Sequence, residues 1–139
     1  MVKHRILIVD DDKDILQIIK LALRDKYEIV TAADGFTGLQ KAQAVEPDMM
    51  ILDIRMPKVD GHQLIDAIHH SPRLRNVPIA VITAHSEPED EFYAMQQGVS
   101  AYIAKPFEMP ELIKKIDEVL AHRPIGPKVL SYEDILSME

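Results

Sequence analysis

Carboxylates dominate the chemically suggestive positions of this chain. Asp10-Asp11-Asp12 closes one short apolar run and Asp53 closes another; Thr83 ends a third, and Lys105-Pro106 follows a fourth. If these runs are neighbouring strands, Asp10, Asp11 and Asp53 share one edge. At an effective dielectric near 20, two unit charges about 4 Å apart repel by roughly 4 kcal/mol. Left uncompensated, such a cluster raises at least one carboxyl pKa. A hard divalent cation relieves the repulsion, and Mg²⁺ characteristically takes one or two carboxylates, waters and phosphate oxygens. With Lys105 beside them, three carboxylates, one ammonium and Mg²⁺ sum to zero charge. A phosphoryl group adds readily to such a site, held by the metal, the ammonium and a hydroxyl such as Thr83. Phosphoryl transfer asks mainly for positioning and charge neutralisation. A carboxylate can also be the nucleophile, giving an acyl phosphate.

The elements that must position these residues are legible in the hydropathy pattern. Short apolar runs occur at 6–9, 27–30, 49–52, 79–82 and 101–104, the second less continuous than the others. Continuous runs of this length suit strands buried on both faces, as in a parallel sheet covered by helices. Between them, Ile15, Ile18, Ile19 and Ala22 keep helical spacing, as do Leu64, Ile65 and Ile68, and Leu112, Ile113, Ile116 and Leu120. The same periodicity predicts helices at about 35–45 and 87–97. Ser86-Glu87-Pro88-Glu89 fits a capping box for the latter, Gly98 stops it, and Pro110 suits the first turn of the helix after it. Asp12 is placed to cap the first helix. A strand–helix unit repeated five times predicts right-handed crossovers and an open, doubly wound α/β sheet. In such sheets ligands bind beyond the carboxyl ends of the strands, where the acidic residues fall.

Composition narrows the function classes. The chain has 139 residues, 47% of them hydrophobic and 28% charged, the pattern of one globular domain. It has no cysteine, so a disulfide framework and thiolate metal sites are excluded. Sixteen basic against 23 acidic residues give a net charge of −7 with no basic stripe, which argues against direct nucleic-acid binding. No run approaches the roughly 18 apolar residues of a membrane span. The apolar run after the charged N-terminus is too short for a signal peptide, so a cytoplasmic location is expected. From Pro124 the character changes. Pro124-Ile125-Gly126-Pro127 is a breaker cluster, and Ser131 to Leu136 reads either as a short helix capped by Ser131 and Asp134 or as a frayed tail. The expected organisation is a domain over 1–123 and a tail, or the start of a linker to an output domain, over 124–139.

The separated motifs Ile8-Val9-Asp10-Asp11, Leu52-Asp53-Ile54-Arg55-Met56-Pro57 with Asp60-Gly61, Val81-Ile82-Thr83-Ala84 and Tyr102-Ile103-Ala104-Lys105-Pro106-Phe107 resemble the receiver domain of two-component response regulators. The likeness spans about residues 3 to 122. It implies a flavodoxin-like strand order 2-1-3-4-5. It implies that Asp53 accepts a phosphoryl group from a histidine kinase or phosphotransfer protein. Asp10 and Asp11 would hold Mg²⁺ together with Asp53 and the backbone carbonyl of Arg55. Thr83 and Lys105 would contact the phosphoryl group, Tyr102 would be the aromatic switch coupled to Thr83, and Lys105–Pro106 would be a cis peptide. The positions two places after Asp53 and Thr83, Arg55 and His85, are the ones that influence phosphoryl lifetime in this family. A homodimer or effector would use the region 87–122.

Other readings compete with these. Asp10, Asp12 and Asp14 imitate a calcium loop, but Ile15 stands where glycine is needed and Leu21 where glutamate is needed. His69-His70 are adjacent and do not share a helix face. The acidic residues Glu87, Glu89, Asp90 and Glu91 suit a solvated first turn favoured by the helix dipole. No Walker motif or G-x-G-x-x-G is present. A Mg²⁺-dependent aspartyl-phosphate phosphohydrolase would read Asp53-x-Arg55, which lacks the second acid. A non-phosphorylated docking module is the third alternative.

Overall fold

A computed structural model describes residues 2–84, 87–128 and 130–138. In chain order its elements are β1 (Arg5–Val9), α1 (Lys13–Leu23), β2 (Glu28–Ala32), α2 (Gly35–Val45), β3 (Met49–Leu52), α3 (Gly61–His69), β4 (Ile79–Thr83), α4 (Pro88–Gln96), β5 (Ala101–Ala104), α5 (Met109–Leu120) and α6 (Tyr132–Leu136). The strands form one parallel sheet in the order β2-β1-β3-β4-β5. This is the α/β order that the resemblance implied.

Strand periodicity explains the two layers. Successive side chains of a strand point to opposite faces. Leu7, Val9, Val30, Met50, Leu52 and Val81 face one core, which α2, α3 and α4 complete with Ala42, Val45, Leu64, Ile65, Ile68 and Ala94. Ile6, Ile8, Ile29, Met49, Ile51 and Ile82 face the other, closed by Leu16, Ile19 and Leu23 of α1 and Leu112, Ile116 and Leu120 of α5. Because every central strand is covered twice, its sequence reads as an unbroken apolar run.

Caps fix where the helices begin. Asp12 caps α1, accepting from the backbone of Asp14 and Ile15, and Asp34 caps α2 through Thr37 N. Asp60 and Gln63 form a reciprocal capping box at α3. The capping box expected at α4 rests on Ser86 and is not among the described contacts. Ser86 and His85 lie outside the described residues, and the cap position is Glu87, whose side chain makes no capping hydrogen bond, with Pro88 opening the helix. Gly98 follows α4 at φ 89°, the left-handed region that glycine enters without steric cost. β2 begins at Glu28, one residue later than the apolar run. Tyr27 instead turns its ring into the core beside α5 and donates its hydroxyl to Asp117.

The segment after α5 folds back across the amino-terminal ends of the strands. His4 Nε2 lies 2.9 Å from the Arg123 carbonyl. Asp48 accepts from Arg5 N at 2.8 Å, Gly126 N at 2.9 Å and Lys128 Nζ at 2.8 Å. Arg5 is buried, and its guanidinium donates to Glu28 Oε2, the Val45 carbonyl and the Leu130 carbonyl. The α6 helix carries a capping box between Ser131 and Asp134 and buries Ile135 in the same core as Leu7 and Val30. It is an ordered short helix, not a frayed end.

Candidate functional site

Backbone hydrogen bonds continue the ladder one step past the strands and so aim the acidic side chains. Asp10 N donates to the Ala32 carbonyl at 3.1 Å, and Asp53 N donates to the Val9 carbonyl at 3.0 Å. Lys105 N donates to the Thr83 carbonyl at 2.8 Å. With Val9 beside Leu52, Leu52 beside Val81 and Thr83 beside Ala104, the four strand tips are adjacent. Asp10, Asp53 and Thr83 are buried, while Asp11 is exposed.

The side chains interlock. Asp10 Oδ1 accepts from Asp12 N at 2.9 Å and Asp53 Oδ1 accepts from Arg55 N at 3.0 Å. The second oxygen of each accepts from the Lys105 ammonium, at 2.8 Å for Asp10 and 3.1 Å for Asp53. Each carboxylate is thus held by one backbone N–H and one shared cation, which fixes its orientation. Oxygens of Asp10, Asp11 and Asp53 lie within 4.8 Å of one another. Among the described residues this is the one such carboxylate group, and its hard oxygen donors suit Mg²⁺. The Lys105–Pro106 peptide is cis.

Electrostatics follow from burial and pairing. Burial pushes the Asp10 carboxyl above its ordinary range, and the charge of Asp53 adds to this; the hydrogen bonds from Lys105 and the Asp12 backbone only partly offset it. Burial also disfavours the Lys105 ammonium, but hydrogen bonds to Asp10 and Asp53 outweigh it and raise the amine's pKa. Lys105 therefore stays charged at neutral pH. Burial, then the charges of Asp90 and Glu91, raise the Tyr102 phenol. Tyr102 sits half-buried on β5.

The loop after β3 is packed against the start of α3. Gly61 N donates to the Ile54 carbonyl at 2.6 Å, and a Cβ on Gly61 would fall 2.5 Å from the Asp53 carbonyl oxygen and from Ile54 Cα. Only glycine permits that approach. Outside the loop, Arg55 reaches to α4, where its Nη2 lies 3.1 and 3.0 Å from the two oxygens of Asp90. A hollow of about 480 Å³, lined by Ile15, Ile18, Ala84, Pro106, Phe107 and Met109, flanks Lys105.

The structure brings Asp10, Asp11, Asp53 and Lys105 together and puts Thr83 at the adjoining strand tip, with Tyr102 three residues before Lys105 on β5. His69 and His70 stand apart; the His70 ring hydrogen-bonds the Asp66 carbonyl within its own helix. Two features escaped the sequence reading. One is the cap role of Asp60, although Asp60-x-x-Gln63 is a capping-box signature. The other is Gln97, which bonds His62 Nδ1 at 2.6 Å, the His62 carbonyl at 3.1 Å and Asp66 Oδ1 at 3.0 Å; no local pattern marks that pairing.

Comparisons with known proteins agree with this arrangement. Residues 6–117 match the family described as the response regulator receiver domain. The transcriptional regulatory protein PrrA of Mycobacterium tuberculosis is 35% identical over 120 residues, covering 86% of this chain and 51% of that protein. The chain spans about half the length of such regulators. Among solved structures, the chemotaxis protein CheY4 of Vibrio cholerae superposes with a TM-score of 0.80 at 32% identity, covering 86% of this chain and all of that one. The receiver domain of sensor histidine kinase PA1611 from Pseudomonas aeruginosa gives a TM-score of 0.76 at 30% identity, covering 84% and 97%, and holds a magnesium ion in its active-site cleft.

Proposed function

The chain belongs to the response regulator receiver family, and from that membership we propose how its own residues carry out the work of a phosphoacceptor switch in two-component signalling. Asp53 is the acceptor. The observation that carries this reading is the Lys105 ammonium bridging Asp10 and Asp53 at 2.8 and 3.1 Å, with Asp11 beside them. Asp10 and Asp11, with Asp53 and the backbone carbonyl of Arg55, would hold Mg²⁺. When bound, the ion neutralises the charge that an incoming phosphoryl group adds. Lys105 pairs with the same group, and the Thr83 hydroxyl bonds it.

The backbone donor at Asp53 Oδ1 and the ammonium at Oδ2 keep the nucleophile from rotating, which lowers the entropy cost of attack. Asp53 attacks phosphorus and the leaving group is the imidazole of a donor phosphohistidine; the product is an acyl phosphate on Asp53. The apolar hollow beside Lys105 offers a seat for the donor protein, a histidine kinase or phosphotransfer protein in the cytoplasm. Output runs through residues 87–122, to which Thr83 and Tyr102 transmit the change. The receiver unit covers 1–123, with 124–139 as an appended tail. The modification is stoichiometric, with slow self-dephosphorylation and no turnover of substrate.

Incubation with acetyl phosphate and Mg²⁺, followed by intact-mass and borohydride-trapping analysis, tests this. One phosphoryl group per chain on Asp53, absent in Asp53→Asn and after chelation, is the expected result. Labelling elsewhere, or catalytic release of phosphate far beyond one equivalent, overturns it.

A further inference from the structure

Arg55 occupies an unusual junction. Its backbone N–H holds the acceptor carboxylate at 3.0 Å, while its guanidinium holds Asp90 on the first turn of α4. The Asp90 side chain is only 15% exposed, whereas that of Arg55 is 51% exposed, so the arginine is the mobile partner. Asp90 has a second cationic neighbour when His62 is protonated, at 3.9 Å across the gap from α3. The other end of α4 is fastened independently, by the three hydrogen bonds of Gln97 to α3. The His62 ring also packs edge-on against Tyr93, in the middle of α4, at 4.6 Å. Among the described residues the first turn of α4 is therefore tied to the acceptor loop through Asp90 and Arg55, while its last turn is tied to α3.

We propose that Arg55 is shared between two states: it holds α4 through Asp90 in the unphosphorylated domain, and the phosphoryl group on Asp53 takes it over, so that Asp90 sets the cost of activation. This rests on the acceptor role of Asp53 proposed above. Phosphorylation adds negative charge two residues from Arg55, and a change of side-chain rotamer moves the guanidinium between the two anions. Arginine is suited to either partner, because its donors match carboxylate and phosphate oxygens alike. Losing the tie frees the amino-terminal turn of α4 while Gln97 keeps the carboxyl-terminal turn in place. The phenol of Tyr102 lies within the field of Asp90, Glu91, Arg55 and Asp53, so a transfer of Arg55 also alters the charge that Tyr102 meets.

Beryllofluoride binding with Mg²⁺ to the full chain, followed by calorimetry and by amide hydrogen exchange of α4, tests the proposal. Asp90→Asn removes the competing anion, and Glu89→Gln makes the same change of net charge one position earlier, at an acid with no tie to Arg55 among the described residues. An exposed ion pair of this kind is worth at most a few-fold, so Asp90→Asn should tighten beryllofluoride binding about two- to fivefold. It should also give fast exchange in the first turn of α4 before ligand is added, with Gln97 and its neighbours still protected. Glu89→Gln should leave both readouts as in the parent. Equal affinity in Asp90→Asn and Glu89→Gln, or unchanged exchange at the first turn, overturns the proposal. Absence of beryllofluoride binding in the parent chain instead overturns the acceptor role of Asp53.

Discussion

Neutralising Asp10 is expected to stabilise the ion-free protein, although Asp10 makes two good hydrogen bonds. Its carboxylate lies 2.8 Å from the Lys105 ammonium, an attraction of about 6 kcal/mol at an effective dielectric near 20. Asp53 lies within 4.8 Å, a repulsion of about 3.5 kcal/mol on the same scale, and solvent-screened Asp11 adds about 1 kcal/mol. The remaining attraction of about 1.5 kcal/mol is smaller than the several kcal/mol that burying an ion costs in practice. The raised Asp10 pKa has the same sign. An asparagine drops the charge but offers a single acceptor oxygen, so it keeps only one of the two hydrogen bonds, from Asp12 N or from Lys105, at a cost of about 1 kcal/mol. Asp10→Asn should still gain about 1 kcal/mol at neutral pH, or about 3–4 °C in Tm. Because the folded-state pKa is raised, the penalty in the parent appears as pH rises from the ordinary carboxylate value of 3.8 through the folded value. It is complete above that, and it vanishes below 3.8. Thermal unfolding of both proteins in chelator from pH 3.5 to 7.5 should therefore show curves that diverge with rising pH. At a hundredfold excess over Kd, Mg²⁺ should add about 2.7 kcal/mol to the parent and much less to the variant. A variant less stable than the parent at pH 7 in chelator would refute the reasoning.

Three further outcomes can be checked by denaturation. Gly61→Ala should cost about 1–3 kcal/mol in urea unfolding and perturb amide signals at Asp53 and Ile54, because the new Cβ meets backbone at 2.5 Å. Ile135→Ala should cost about 2–4 kcal/mol, since this tail residue is 1% exposed within the main core; a loss below about 0.5 kcal/mol would mean that α6 is not docked in solution. Hydrogen bonds from Lys26 and Tyr27 hold the Asp117 carboxyl below its usual range, so its contribution is present above pH 3.8 and lost as pH falls through the folded value. Asp117→Asn should thus lower stability at pH 7 by less than about 1 kcal/mol, the pair with Lys26 being exposed, and the difference should shrink in acid titrations followed by circular dichroism.

The central strands could be read from sequence because burial on both faces leaves an uninterrupted signature in β1, β3 and β4. β2, at the sheet edge, carries Glu28 and Thr31 at half-buried positions and reads less clearly. α4 had the weakest pattern: Ala94 alone is buried, while Phe92, Tyr93 and Met95 are exposed, so periodicity had little to register. The acidic site was legible because each of its members ends a strand. The opposite pole was not. Arg5 reads as part of a charged N-terminus, yet it is buried against Glu28 and donates to the Leu130 carbonyl, partners 23 and 125 positions away. Gln97 and His62 are similarly separated by 35 positions. Such pairings are products of topology, and nothing in the neighbouring residues announces them.

The folded-back tail bears on how the molecule comes into being. The guanidinium at the start of the sheet finds its last acceptor at Leu130, and the core that Leu7 begins is closed by Ile135. During synthesis the chain emerges from its amino end, and contacts of such long sequence separation are slow to form because loop-closure entropy must be met first. The nascent sheet therefore waits with one Arg5 donor short of its acceptor and an uncovered apolar strip until Leu130 and Ile135 have been added. Native protection of β1 should arrive late, together with α6, rather than strand by strand.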